Sequence, residues 1–256
     1  MRFSCIKFQT MKINSLILFI AGLSLTSCFD APDYPDTPKI EYNDVLFKVV
    51  GDNSDPDSLI IVIKFEDGDG DLGLRATEST APYNLKNYYS NKTGKLFDFA
   101  NEGAEDLMTI DDIGVIDTLP PFEGFYKCIS WDTQPEIYYQ DGTQLEDTVY
   151  FQFNKRYHNI YIDYLILEAG EFKKFDWRRE IDCSIDYNGR FPLLNDTPDK
   201  ARVLEGSLRY GMVSTGFKPL FTGKTMKLRI QIIDRKGHFS NVVETPEFRL
   251  SEIQVN

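Results

Sequence analysis

Apolar and polar residues alternate with a period of two along much of the chain, the mark of half-buried strands. In TMKLRIQII, Met226, Leu228, Ile230 and Ile232 fall on one face and Lys227, Arg229 and Gln231 on the other. NIYIDYLIL puts Ile160, Ile162, Tyr164 and Ile166 on one side, and TVYFQF does the same with Val149, Phe151 and Phe153. SLIIVIKF is apolar on both faces, which suits a strand in the middle of a sheet. Further strands are expected at 40–50, 204–213 and 242–250, and no long stretch carries an apolar stripe at helical spacing. The pattern predicts an all-β sandwich with little helix, spanning about residues 39–253.

One region breaks the alternation. Residues 75–147 hold eleven aromatic side chains, among them Tyr83, Tyr88, Tyr89, Trp131, Tyr138 and Tyr139, but little periodicity. That is too aromatic for disorder and too long for a simple connection. It is expected to be an ordered insertion folded against the sandwich, with one short helix near GAEDLMTIDDIG.

The amino terminus carries an address. Arg2, Lys7 and Lys12 precede an apolar run from Leu16 to Leu25, the layout of a secretory signal over residues 1–27. The run is too short for a bilayer-spanning helix, which needs about 20 residues. Leu25-Thr26-Ser27-Cys28 resembles a bacterial lipobox, which implies cleavage before Cys28 and lipidation of its thiol. Several acyl chains would hold the protein to a membrane where one would not. Residues 28–38, FDAPDYPDTP with its flanks, read as an acidic, proline-rich tether. Acidic residues directly behind the cysteine resemble the export signal that sends Bacteroidota lipoproteins to the outer face of the outer membrane.

Charge narrows the partners. Loss of Arg2, Lys7 and Lys12 with the signal takes the net charge from −12 to −15. Nucleic acid is excluded as a natural partner, and divalent cations are compatible. Cys5 leaves with the signal and Cys28 takes lipid, so Cys128 and Cys183 remain in an oxidising compartment. They pair as a disulfide or stay as two buried thiols.

The stretch IKFEDGDGDLGL carries the most pointed chemistry. Calcium takes six to eight hard oxygens, and an EF-hand loop draws them from positions 1, 3, 5, 7, 9 and 12. Counting from Asp67 puts Asp69 and Asp71 at the next two ligand positions, the Gly73 carbonyl at the fourth and Glu78 at the last. Leu72 departs from the pattern, since the sharp turn calls for glycine there. If the strand before the loop is the second of a sandwich, the hairpin turn near Lys236-Gly237 lies at the same end, bringing Asp234 and Arg235 close. Asp234 would add a ligand, and Arg235 could replace the ion with a salt bridge. A metal-free acidic turn is the competing reading.

No catalytic set stands out. His158 and His238 fall in turn or edge positions, and neither Cys128 nor Cys183 has a histidine beside it. Trp131 and Trp177 with the tyrosines offer a sugar-stacking face or, alternatively, core packing.

Several pieces together resemble a group of Bacteroidota lipoproteins: the lipobox, FEDGDGDLGL, DTLPPFEGFYKCISW, GRFPLL, LEGSLRYGMVS and LRIQIIDRKGHFSNVVETPEF. The last is similar to the closing hairpin of immunoglobulin-like domains. The resemblance implies a lipid-anchored outer-membrane protein with an immunoglobulin-like core, and no activity or catalytic residue. Asp57-Ser58-Leu59, Asp117-Thr118-Leu119 and Asp147-Thr148-Val149 resemble the O-glycosylation pattern of the same bacteria, with Ser58, Thr118 and Thr148 as acceptors. The expected function is a non-catalytic binding or accessory module docking to an outer-membrane partner. A carbohydrate-binding lipoprotein and, further off, a carboxylate-pair hydrolase are the alternatives.

Overall fold

Alternation turns into two facing sheets. The computed structural model describes residues 33–50, 56–139 and 141–255. The signal, Cys28 and the start of the tether lie outside the described residues, while Tyr34–Asn256 forms one compact unit. The chain is mostly strand, as its pattern predicts. One four-stranded sheet pairs, in order, β11 (Gln254–Val255), β1 (Lys39–Lys48), β2 (Ser58–Asp67) and β8 (Leu204–Val213). The other pairs β10 (Val243–Glu244), β9 (Met226–Ile232), β6 (Ile160–Glu168) and β7 (Glu171–Phe175). Among the described residues, no helix is long and apolar enough to cross a membrane.

The inner faces follow the sequence pattern. Leu59, Ile61 and Ile63 from β2 meet Ile160, Ile162 and Tyr164 from β6 and Met226, Leu228, Ile230 and Ile232 from β9 in one buried core. Each fully buried aliphatic or aromatic side chain contributes about 1.5–3 kcal/mol, so this layer dominates stability. β2 is central, hydrogen-bonded to β1 on one side and β8 on the other along its length, as its apolar run predicts.

The segment expected to fold passively against the sandwich has its own organisation. β3 (Lys86–Tyr88), β5 (Val149–Phe153) and β4 (Trp131–Asp132) form a third sheet. TVYFQF therefore belongs to the insertion, which reaches past residue 147, and not to a main sheet. Its alternation forms a strand, as the pattern predicts, but in another layer, because Val149 faces a second core of Phe97, Leu107, Ile137 and Leu145. The expected helix near residue 107 is instead two 3-10 turns, Ala104–Asp106 and Ile110–Asp112. Thr109 caps the second through the Asp111 N–H, and Asp112 accepts from the Thr109 N–H in return.

Three short helices were not foreseen: α1 (Tyr126–Ile129), α2 (Trp177–Glu180) and α3 (Phe217–Phe221). Each is too short to show a periodic stripe. Cys128 of α1 is bonded to Cys183, just after α2, with Cα atoms 6.0 Å apart. This disulfide ties the insertion to the sandwich.

Candidate metal centre

The site begins as a continuation of strand parity. On β2 the inward row Leu59, Ile61, Ile63, Phe65 arrives next at Asp67, which is fully buried. On β9 the inward row Met226, Leu228, Ile230, Ile232 arrives next at Asp234, also buried. Both sheets thus end their inner rows in a carboxylate at the same pole of the sandwich. The chain after β2 bends at residues 68–69 and takes a left-handed step at Gly70, and Asp69 and Asp71 are buried at 5% and 4% exposure.

One oxygen from each of Asp67, Asp69 and Asp71 lies within 4.8 Å of the others. The Oδ1 atoms of all three are buried and have no hydrogen-bond partner. Burial, then the charges of Asp69, Asp71 and Asp234, push the Asp67 carboxyl up to about 7. Burial, then Asp234 and Asp69, push Asp71 up to about 6, with Lys236 acting in the opposite direction. Three such groups without a cation are costly.

The loop is not a solvated turn. The Arg202 N–H donates to the Asp69 carbonyl at 3.0 Å and the Leu194 N–H to the Leu72 carbonyl at 3.1 Å. Asn195 Nδ2 donates to the Gly70 carbonyl at 3.2 Å, and the Arg235 N–H to the Asp71 carbonyl at 3.3 Å. A Cβ on Gly70 would stand 2.0 Å from the Arg202 carbonyl oxygen, so glycine is required for this approach. With these carbonyls occupied, the side-chain oxygens and water must supply a cation's shell.

The EF-hand register holds for three positions and then fails. Leu72 turns into the core, fully buried, where the EF-hand turn would run. Glu78 is not a ligand: its oxygens accept from Arg235 Nη1 at 2.8 Å and Nη2 at 2.7 Å. That pair, with the Arg75 N–H, holds the Glu78 carboxyl down at about 2. The Gly73 carbonyl also faces Arg235, 3.5 Å from Nη1. Asp234 lies beside the triad but its oxygens serve the hairpin. Oδ1 accepts from the Gly237 and His238 N–H groups at 2.6 and 2.7 Å, and Oδ2 meets His238 Nδ1 at 2.7 Å.

Arg235 does not clamp the triad either. The residue that does is Lys236, whose ammonium is paired with Asp69 Oδ2. Both residues lie in the turn beyond β9, where strand parity no longer applies: Lys236, half exposed, reaches back to Asp69, and Arg235 pairs with Glu78. One lysine opposite three carboxylates leaves net negative charge, and its side chain is half exposed and displaceable.

The remaining expected sites scatter. Trp131 and Trp177 are 2% and 7% exposed, so neither offers a stacking platform. His158 is half-buried, not an exposed edge residue, and burial lowers its pKa. Asp234 and His238 form an acid–imidazole pair, but among the described residues no hydroxyl or thiol is bonded to the other ring nitrogen. Ser58 is the first residue of β2, laddered to Lys48 and Val213. Thr148 is half-buried with its N–H on Asp147, and Thr118 lies exposed in a turn.

Comparison with protein-family models, with curated proteins and with solved structures finds no match.

Proposed function

We propose that this chain is a non-catalytic lipoprotein, anchored through Cys28 to the outer membrane and facing outward, whose sandwich is a calcium-stapled binding module for an outer-membrane protein. One observation carries the calcium: three buried carboxylates converge with three unpartnered oxygens, a donor set suited to a hard cation. Calcium fits because it accepts irregular shells completed by water, and millimolar affinity suffices outside a cell. The lipobox supports the anchor. The Cys128–Cys183 disulfide fits an oxidising compartment.

An immunoglobulin-like reading of the sandwich is supported by strand order. The first two strands pair with β8, while β6 and β7 join β9 and β10 in the opposite sheet. Such scaffolds present loops at their poles, and here one pole is occupied by the ion site. Of the three glycosylation triplets, Thr118 is the acceptor we favour, because its turn is open to an enzyme.

The test is titration calorimetry of the full chain with calcium, beside an Asp69→Ala/Asp71→Ala variant. The expected result is a saturable heat in the wild type only, with a calcium-dependent rise in melting temperature. Equal heats in both proteins would remove the ion from the site.

A further inference from the structure

β8 is the outer strand of its sheet, paired to β2 over its whole length without a bulge. Its other side is open. Among the described residues, no backbone group from Glu205 to Val213 bonds to anything except β2. A Cβ on Gly206 would meet only Phe65, at 3.4 Å, and one on Gly211 only Ile60, at 3.8 Å, both on β2. Glu205, Gly206, Ser207, Arg209, Gly211 and Val213 are exposed.

An unpaired strand edge is a template for another strand, and the remaining edges of the two main sheets are blunted. Along β1, Asn241 Oδ1 accepts from the Ile40 N–H and its Nδ2 donates to the Ile40 carbonyl, both at 2.8 Å. Asp44 takes the Val45 N–H beside a bulge, and Ile253 and Val255 carbonyls accept from Phe47 and Val49. β7 shows exposed Lys173 and Lys174, and β10 is two residues long. β8 has none of these devices, and its charges complement a second copy of itself. Glu205, Ser207 and Arg209 share the outward row, with Ser207 midway between the two charges. Within the sheet Glu205 stands opposite another acid, Glu66, and Arg209 opposite Val62.

We propose that β8 is a dimerisation edge. Two copies pair antiparallel about a two-fold axis at Ser207, joining two four-stranded sheets into one of eight strands. This axis sets Glu205 of each copy opposite Arg209 of the other, twice by symmetry. The Tyr34 hydroxyl holds Glu205 through Oε2, which leaves Oε1 for the guanidinium. On the inner face Leu204 meets Tyr210 and Gly206 meets Leu208. An axis at Glu205 or Arg209 would oppose like charges, and one at Gly206 or Leu208 would face each charge with an uncharged residue. The edge is independent of the calcium reading.

The experiment is sedimentation equilibrium of the full chain in density-matched detergent. The proteins are the wild type, Arg209→Glu, Glu205→Arg and the double exchange Glu205→Arg/Arg209→Glu, each checked for a cooperative thermal transition. The wild type should dimerise. Each single reversal places two like-charged pairs across the axis and should weaken the dimer at least tenfold. The double exchange restores both pairs and should return the affinity to within about threefold of wild type. A wild type that stays monomeric at every concentration overturns the proposal and leaves the edge to a strand from another protein. A dimer indifferent to both single reversals overturns β8 as the contact. Weakening by both without rescue in the double exchange overturns the pairing about Ser207.

Discussion

The two ends of β2 are buried in opposite ways. Near its start, Leu59 is paired with Met212, and Met212 Sδ accepts from the Tyr164 hydroxyl at 3.0 Å. Tyr164 there packs edge-on to Trp177 and Phe217, with ring centroids 5.1 and 5.6 Å away, and Phe175, Tyr187 and Phe221 complete the cluster. Edge-to-face pairs of this kind add about 0.5–1.5 kcal/mol beyond area burial. About 26 Å along the strand, at Asp67, the same inward row ends in a carboxylate with an unpartnered oxygen. One pole is satisfied largely by its own side chains, with Trp177 Nε1, Arg178 Nε and Ser214 Oγ left unpartnered. The other sets three buried carboxylates against one lysine. The aromatic pole holds the fold, and the acidic pole is where the proposed calcium would bind.

The largest effect should come from breaking the aromatic pole. Phe217→Ala removes a fully buried ring from the cluster and is expected to cost about 3–5 kcal/mol, read by urea denaturation. The loss should be the same with calcium and with a chelator. A calcium-dependent loss would mean that the two poles are not independent.

Asp67→Asn should behave in the opposite manner. Its carboxyl is raised to about 7, so the folded calcium-free protein holds a proton that the unfolded chain releases near pH 4. Stability from this group is therefore present below about pH 4 and declines as pH rises through about 7. At pH 8 with a chelator, Asp67→Asn is expected to stabilise the protein by about 1–3 kcal/mol. At pH 4 the gain should vanish, and in calcium the variant should melt below the wild type. Loss of stability under all three conditions would refute the repulsion at this pole.

These contrasts show what the sequence made legible. The period-two rows of β2, β6 and β9 placed the sandwich, the core and the pole, because parity is a local property of the chain. Asp67, Asp69 and Asp71 stood out as an acidic repeat in an EF-hand count, and the hairpin turn that sandwich topology put at the same end does lie beside them. Ligand assignment went wrong where it borrowed a loop register instead. Glu78 and Arg235 pair with each other, Asp234 caps its own turn, and Lys236 takes the place given to Arg235. The third sheet was not legible, because β5 alternates like any sandwich strand and only distant β3 and β4 decide its layer.

A smaller effect separates the two salt bridges of the acidic pole. Glu78 is held down at about 2 by Arg235, so its contribution is full above about pH 4.5 and is lost as pH falls through about 2. Glu78→Gln should cost about 1–2 kcal/mol at neutral pH, less than the whole shift implies, because the pair sits at a rim screened by water. The difference from wild type should close by about pH 2 and be indifferent to calcium. A calcium-dependent difference would return Glu78 to the ligand set.

Lys236→Gln is the finest test, and its sign is the informative part. In the calcium-free protein the lysine is, among the described residues, the one cation paired with the triad, on a half-exposed side chain, so its removal should change melting little. For calcium it is a competitor, occupying Asp69 and repelling the incoming ion. Removing a unit charge about 4 Å from a divalent ion in a water-like medium should tighten calcium binding by about thirtyfold, measured by calorimetry at low salt. At higher ionic strength the gain should shrink, as screening weakens the repulsion it removes. Weaker binding in Lys236→Gln would mean that the ammonium organises the pocket for its ion, and the acidic pole would then be a lysine-completed turn instead of an unfilled site.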